Sequence, residues 1–67
     1  MTDHWPHGFN YNVEEWFESD RYETLAICRT LTLARAAFKA AIAEKPDSRF
    51  MIRIRTRLVK RHPEGDW

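Results

Sequence analysis

Cysteine occurs once in these 67 residues, at Cys28, glycine only twice and proline three times. A lone thiol excludes an internal disulfide framework and fits a reducing compartment. No glycine-rich phosphate loop and no nucleophile elbow can be read in the chain. No apolar run approaches the roughly 18 to 20 residues of a membrane span, and the N-terminus does not read as a signal peptide. A cytoplasmic chain with no membrane partner is therefore expected. Charge of one sign is also missing: the formal total is +1. What is present is hydrophobic, at 43%, and aromatic, at 13%, too much of both for a wholly disordered chain.

A chain this short supports one domain, and without disulfides its apolar residues must serve first as core. A deep catalytic cleft is hard to carve from so few residues. Residues 1–10 hold a proline, a glycine and no periodicity, and read as a flexible N-terminal arm. Residues 63–67, opened by Pro63 and loosened by Gly65, read as a flexible tail. The domain is expected over 11–62.

Tyr11 to Phe17 and Tyr22 to Leu31 are rich in aromatic and β-branched residues, with Glu18-Ser19-Asp20-Arg21 between them. That pattern predicts a hairpin. A two-residue loop at Ser19-Asp20, or a four-residue loop from Glu18 to Arg21, sets Phe17 opposite Tyr22, Glu15 opposite Thr24, Val13 opposite Ala26 and Tyr11 opposite Cys28. One face then carries Tyr11, Val13, Phe17, Tyr22, Ala26 and Cys28 as core, with Glu15 and Thr24 its polar members. The other carries Asn12, Glu14, Trp16, Glu23, Leu25 and Ile27.

Thr32 to Lys45 predicts a helix: half of the twelve residues from Leu33 to Glu44 are alanine, the strongest helix former. Ala34, Ala37, Phe38, Ala41 and Ile42 fall on one stripe, with Arg35, Lys39 and Glu44 off it. Thr32 is the expected N-cap, and Pro46 stops the helix. From Arg49 to Arg61 the chain alternates. Phe50, Ile52, Ile54 and Leu58 share one parity, and Met51, Arg53, Arg55, Arg57, Val59 and Arg61 the other. This is one long strand, or a second hairpin turning near Arg55-Thr56. The expected fold is α+β, a two-layer β-β-α-β(-β) domain with one helix on one face of a small, mainly antiparallel sheet. The third strand can pair antiparallel with the first or parallel with the second.

Val13-Glu14-Glu15-Trp16, the run from Leu25 to Phe38, and His62-Pro63-Glu64-Gly65 resemble segments of a family of short, uncharacterised bacterial proteins, alphaproteobacterial in type, with no assigned activity. The resemblance spans residues 11 to 65 and consists mainly of core and helix positions, so it brings no functional residues. It implies a turn residue such as glycine near Ile54-Arg55, which this chain lacks.

Charge is unevenly placed. Residues 1–24 hold six acids against Arg21 alone, whereas residues 25–67 hold ten bases and four acids. Arg53, Arg55, Arg57, Lys60 and Arg61 are the candidate anion or nucleic-acid contacts. Arg53, Arg55 and Arg57 would project from one sheet face, with Trp16 as a stacking surface. Against this, Glu14 and Glu23 should share that face and neutralise Arg53 and Arg55 by cross-strand pairing. That leaves Arg57, Lys60 and Arg61 as the excess.

Trp16, Leu25, Ile27 and Met51 form a candidate interaction surface, since one helix cannot cover both sheet faces. A second chain could cover it, or Trp5, Phe9 or Trp67 could fold back over it. His4, His7 and His62 lack the acids or thiols that complete a metal site, so no metal and no cofactor is expected. Cys28, on the core face, behaves as a small hydrophobe rather than a nucleophile. Glu14 and Glu15 point to opposite faces and cannot act as an acid/base pair. The expectation is a small non-enzymatic domain, a protein-interaction or self-associating module, with weak binding to nucleic-acid phosphates as the alternative.

Overall fold

The computed structural model describes residues 10–65 of the chain. Residues 1–9 of the expected arm and residues 66 and 67 of the expected tail lie outside these residues. The elements run β1 (Tyr11–Glu18), β2 (Arg21–Cys28), α1 (Leu31–Glu44), β3 (Arg49–Ile54) and β4 (Arg57–His62). They form a four-stranded sheet in the order β2-β1-β3-β4, every neighbouring pair antiparallel. Of the two pairings left open, β3 takes the antiparallel one with β1. With α1 on one face, this is the expected α+β two-layer domain.

The helix forms where alanine is dense, and its stripe is the buried one. Ala34 and Phe38 are buried, and Ala37, Ala41 and Ile42 pack around them. They meet Val13, Phe50 and Ile52 of the two central strands. Small alanines let the helix approach the sheet, and Phe38 and Phe50 fill what remains. Truncating either ring would cost about 3–5 kcal/mol, most of the stability of a domain this small. The N-cap is Thr30 rather than the expected Thr32: its Oγ1 accepts from the Leu33 amide at 3.1 Å. The helix thereby gains Leu31, which is half-buried against the core. Ahead of Pro46, the Lys45 amide closes the last turn on the Ala41 carbonyl at 3.0 Å.

Of the two loops left open, the first hairpin takes the shorter, turning at Ser19-Asp20 with Glu18 opposite Arg21, and its open end has the expected register: Val13 opposite Ala26 and Tyr11 opposite Cys28. Between these, two register shifts intervene. Phe17 is an extra residue in β1 and Leu25 an extra residue in β2, so the bulges cancel. Over the stretch they bracket, the pairs are Trp16–Tyr22, Glu15–Glu23 and Glu14–Thr24. A one-residue slip moves side chains to the opposite face. Tyr22 and Thr24, expected toward the helix, join Trp16 and Glu14 on the outer face instead. The expected core members Phe17 and Tyr22 are exposed.

The second hairpin does form, turning at Arg55-Thr56 with Ile54 opposite Arg57. Arg55 takes φ +56, the sign a two-residue hairpin of the II′ class needs at its first central position. The two-residue turn reverses the expected parity at the start of β4: Arg57 lies opposite Ile54 on the helix face and Leu58 opposite Arg53 on the outer face. A third shift, with Val59 the extra residue, then restores it, so that Lys60 lies opposite Ile52 on the helix face and Arg61 opposite Met51 on the outer face, while Val59 packs toward the core.

Candidate functional site

Residues directly opposite one another across antiparallel strands share a face, which settles where each candidate side chain points. Arg53, opposite Asn12 on β1 and Leu58 on β4, is on the outer face. So is Arg61, opposite Met51. Arg57 and Lys60, opposite Ile54 and Ile52, are on the helix face, and Arg55 is in the turn. The expected stripe of Arg53, Arg55 and Arg57 on one face does not exist. The bulge at Val59 and the turn at Arg55-Thr56 divide the basic residues between both faces.

The outer face is built around a buried carboxylate. Glu14 is 0% exposed although no helix lies over it. Its Oε1 accepts from the Trp16 indole at 3.0 Å. Its Oε2 accepts from Arg53 Nε at 3.2 Å and Nη2 at 2.9 Å. Trp16 stacks on Tyr22 with ring centroids 4.6 Å apart and planes 22° from parallel. The Arg53 guanidinium lies over both rings, 4.9 Å from the Tyr22 centroid and 5.7 Å from that of Trp16. The hydrogen bond to Glu14, foremost, raises the Arg53 pKa above its ordinary value and holds the side chain charged. Long side chains thus roof the sheet where a second helix would otherwise be needed. Trp16 is no open stacking platform: its N–H and one ring face are occupied.

This cluster divides the candidate interaction surface. Trp16 and Met51 are half-buried within the outer face, whereas Leu25 is 44% and Ile27 66% exposed on the edge strand β2. The anticipated neutralisation is met at Arg53 by Glu14. Glu23 does not share the outer face as expected: it lies opposite Glu15 on the helix side, at the far end of the sheet from the Arg55 turn.

The second buried acid, Glu15, points toward the helix, as the sequence indicated, and is 6% exposed. Lys45 Nζ stands 3.7 Å from its Oε2. Cys28 is half-buried and packs against the core. His62 Nε2–H donates to the Pro46 carbonyl at 3.1 Å, a bond that ties β4 to the loop after α1. Among the described residues no group of three or more His, Cys, Asp or Glu could hold a metal ion, and no helix is long and apolar enough to cross a membrane. His4 and His7 lie outside the described residues, as do Trp5, Phe9 and Trp67.

One feature that the sequence pattern did not single out lies between α1 and β4. The helix packs mainly on β1, β2 and β3, so β4 lies at the margin of its footprint. The resulting groove, about 310 Å³, is lined by Arg35, Phe38, Lys39, Ile42 and Lys60. A signal for it does exist in the chain. Arg35 and Lys39, four apart, border the apolar stripe on the side where Phe38 and Ile42 extend it. No family model, no curated protein and no solved structure matches the chain.

Proposed function

We propose that this chain is a small non-enzymatic protein-interaction module that self-associates through the open edge of β2. The observation that carries the reading is the uncharged run Thr24-Leu25-Ala26-Ile27-Cys28 on that edge, with Ile27 66% exposed. An edge strand presents unpaired backbone N–H and C=O groups, and small proteins ordinarily blunt such edges with charge. The opposite edge, β4, carries Arg57, Lys60 and Arg61; the end of β2 carries no charge at all. Antiparallel pairing of β2 with β2 of a second copy, about a two-fold axis, would satisfy those groups and bury Ile27.

The non-enzymatic part rests on where the acids go. Glu14 and Glu15 are tied to Arg53 and Lys45 on opposite faces rather than converging in the groove, whose lining is basic and apolar. A cytoplasmic setting fits the single cysteine, packed as a hydrophobe. The alternative, weak binding of nucleic-acid phosphates through Arg53, Arg55, Arg57, Lys60 and Arg61, draws less support, because these residues divide between two faces and Arg53 is engaged by Glu14.

Sedimentation or light scattering across concentration tests the reading. A concentration-dependent dimer is expected, reverting to monomer on Ile27→Lys with the far-UV spectrum unchanged. A strict monomer at about 1 mM, a concentration at which contacts of −4 kcal/mol would register, overturns it.

A further inference from the structure

At the sheet edge opposite β2, a second binding geometry is present. We infer that the β4 edge and the groove beside α1 bind an acidic peptide segment in extended conformation, added as a strand alongside β4. Among the described residues β4 pairs only with β3, so half of its backbone groups point outward. A concavity of about 440 Å³ runs along that edge past Leu58, Val59, Lys60 and Arg61 to Glu64 and Gly65. Beside it lies the groove walled by α1. A strand edge next to a helix-walled groove is the arrangement in which a peptide docks by strand addition. Backbone hydrogen bonds supply affinity there, and alternate side chains enter the groove.

The lining sets the chemistry of the occupant. Phe38 and Ile42 floor the groove and are themselves core members, which suits one aliphatic side chain of the peptide. Arg35, Lys39 and Lys60 surround that floor, and no acid lines it. Arg57 shares the helix face of β4 with Lys60. None of these four cations forms an ion pair with a described residue. Glu64 is the acid on the rim of the outer concavity, so the carboxylates of the peptide belong at the Arg57–Lys60 side of the groove, away from Glu64. A nucleic-acid strand fits less well: Phe38 is only 4% exposed and offers no ring face for a base, and the open backbone edge has no use for a phosphate chain.

The test titrates the full chain with a labelled peptide of about eight residues, a strand's length, alternating Glu with Val, at about 50 mM salt, where charge contacts are strongest. Saturable binding is expected, with amide shift changes at residues 57–61 and 35–42. The double variant Lys39→Glu/Lys60→Glu should weaken it about tenfold or more, and so should Arg35→Gln/Lys60→Gln, which introduces no new charge. N-methylation of the peptide amides that face β4 should abolish binding. Four results would overturn the proposal: no binding under these conditions, equal binding by the Lys-Val counterpart, undiminished binding by the N-methylated peptide, or tighter binding of an oligothymidylate that the same variants weaken. Because β2 and β4 are opposite edges, the outcome is independent of whether the chain dimerises, and Ile27→Lys should leave it unchanged.

Discussion

Arg53 Nη2 lies 2.9 Å from Glu14 Oε2, a pair that joins β3 to β1 on the face away from the helix, with its carboxylate fully buried. Removing one partner strands the other. Arg53→Met should cost about 2–4 kcal/mol, slightly under the usual range for a buried pair because the guanidinium keeps some solvent contact. Glu14→Gln retains an acceptor and should cost about 1–2 kcal/mol. In a double-mutant cycle by urea unfolding, the two losses should fall short of additivity by about 1–3 kcal/mol; additive losses would mean that the pair is not coupled.

The same pair fixes the behaviour in alkali. Hydrogen bonding to Glu14 raises the Arg53 pKa. A raised folded-state value means that the stabilisation is complete below the unfolded value and is lost only as pH passes the folded one, beyond any workable pH. In Arg53→Lys the cation titrates from about 10.4 in the unfolded chain. Its stabilisation should therefore be present below that pH and fall away as pH rises through the folded value. Midpoints of thermal unfolding at pH 8 and near pH 11 should separate the variant from the parent; parallel curves would contradict the ion pair.

Glu15 and Glu23 stand directly opposite across β1 and β2, like charges in a pair where neighbours should attract. Lys45, 3.7 Å from Glu15, offsets part of this. Glu23→Lys replaces repulsion with attraction at an exposed position and should raise stability by about 0.5–1 kcal/mol. The gain should shrink in high salt, which screens exposed charge. A destabilised variant would place Glu23 elsewhere than opposite Glu15.

Arg55 occupies a left-handed conformation, φ +56, with a β-carbon that disfavours it. Arg55→Gly removes that penalty and should stabilise the second hairpin by about 0.5–1 kcal/mol. Arg55→Val adds β-branching at the same φ and should destabilise by more than about 1 kcal/mol. The reverse order in denaturant midpoints would exclude this turn.

This turn also marks where the sequence ceases to be legible. Alternation from Arg49 onward announces strands, the alanine stripe announces the helix, and the opposition of Glu14 and Arg53 can be reasoned from parity. The bulges cannot. Phe17, Leu25 and Val59 are ordinary strand residues, and nothing local distinguishes an extra residue from a paired one. Their placement is set by tertiary packing: the first two bring Tyr22 onto Trp16, and the third sets Lys60 on the helix face next to Val59, which packs toward the core. Each bulge reverses the face of the residues beyond it. Parity alone therefore assigns Tyr22 and Thr24 to the wrong face, and the two-residue turn does the same for Arg57 and Leu58, although parity places every strand carrying them nearly correctly. The groove beside β4 is only partly announced, by Arg35 and Lys39 beside the apolar stripe, since it also depends on α1 packing mainly on the other three strands.

The helix start supplies a sharper discrimination, because two threonines two residues apart compete for one role. Thr30 has the extended backbone of a cap, and its hydroxyl accepts from the Leu33 amide, one of the donors left without a partner in the first turn. Thr32 lies inside the helix and is exposed, where a β-branched residue is a mild liability. Thr30→Ala should therefore cost about 1 kcal/mol, and Thr30→Asp should recover it, since a carboxylate both caps and complements the positive end of the helix dipole. Thr32→Ala should be neutral or stabilising by a few tenths of a kcal/mol, about the difference in helix propensity. Chemical denaturation of the three variants decides between the residues. If Thr32→Ala carries the loss and Thr30→Ala does not, the helix begins a half-turn later than the structure has it, and Leu31 leaves the core.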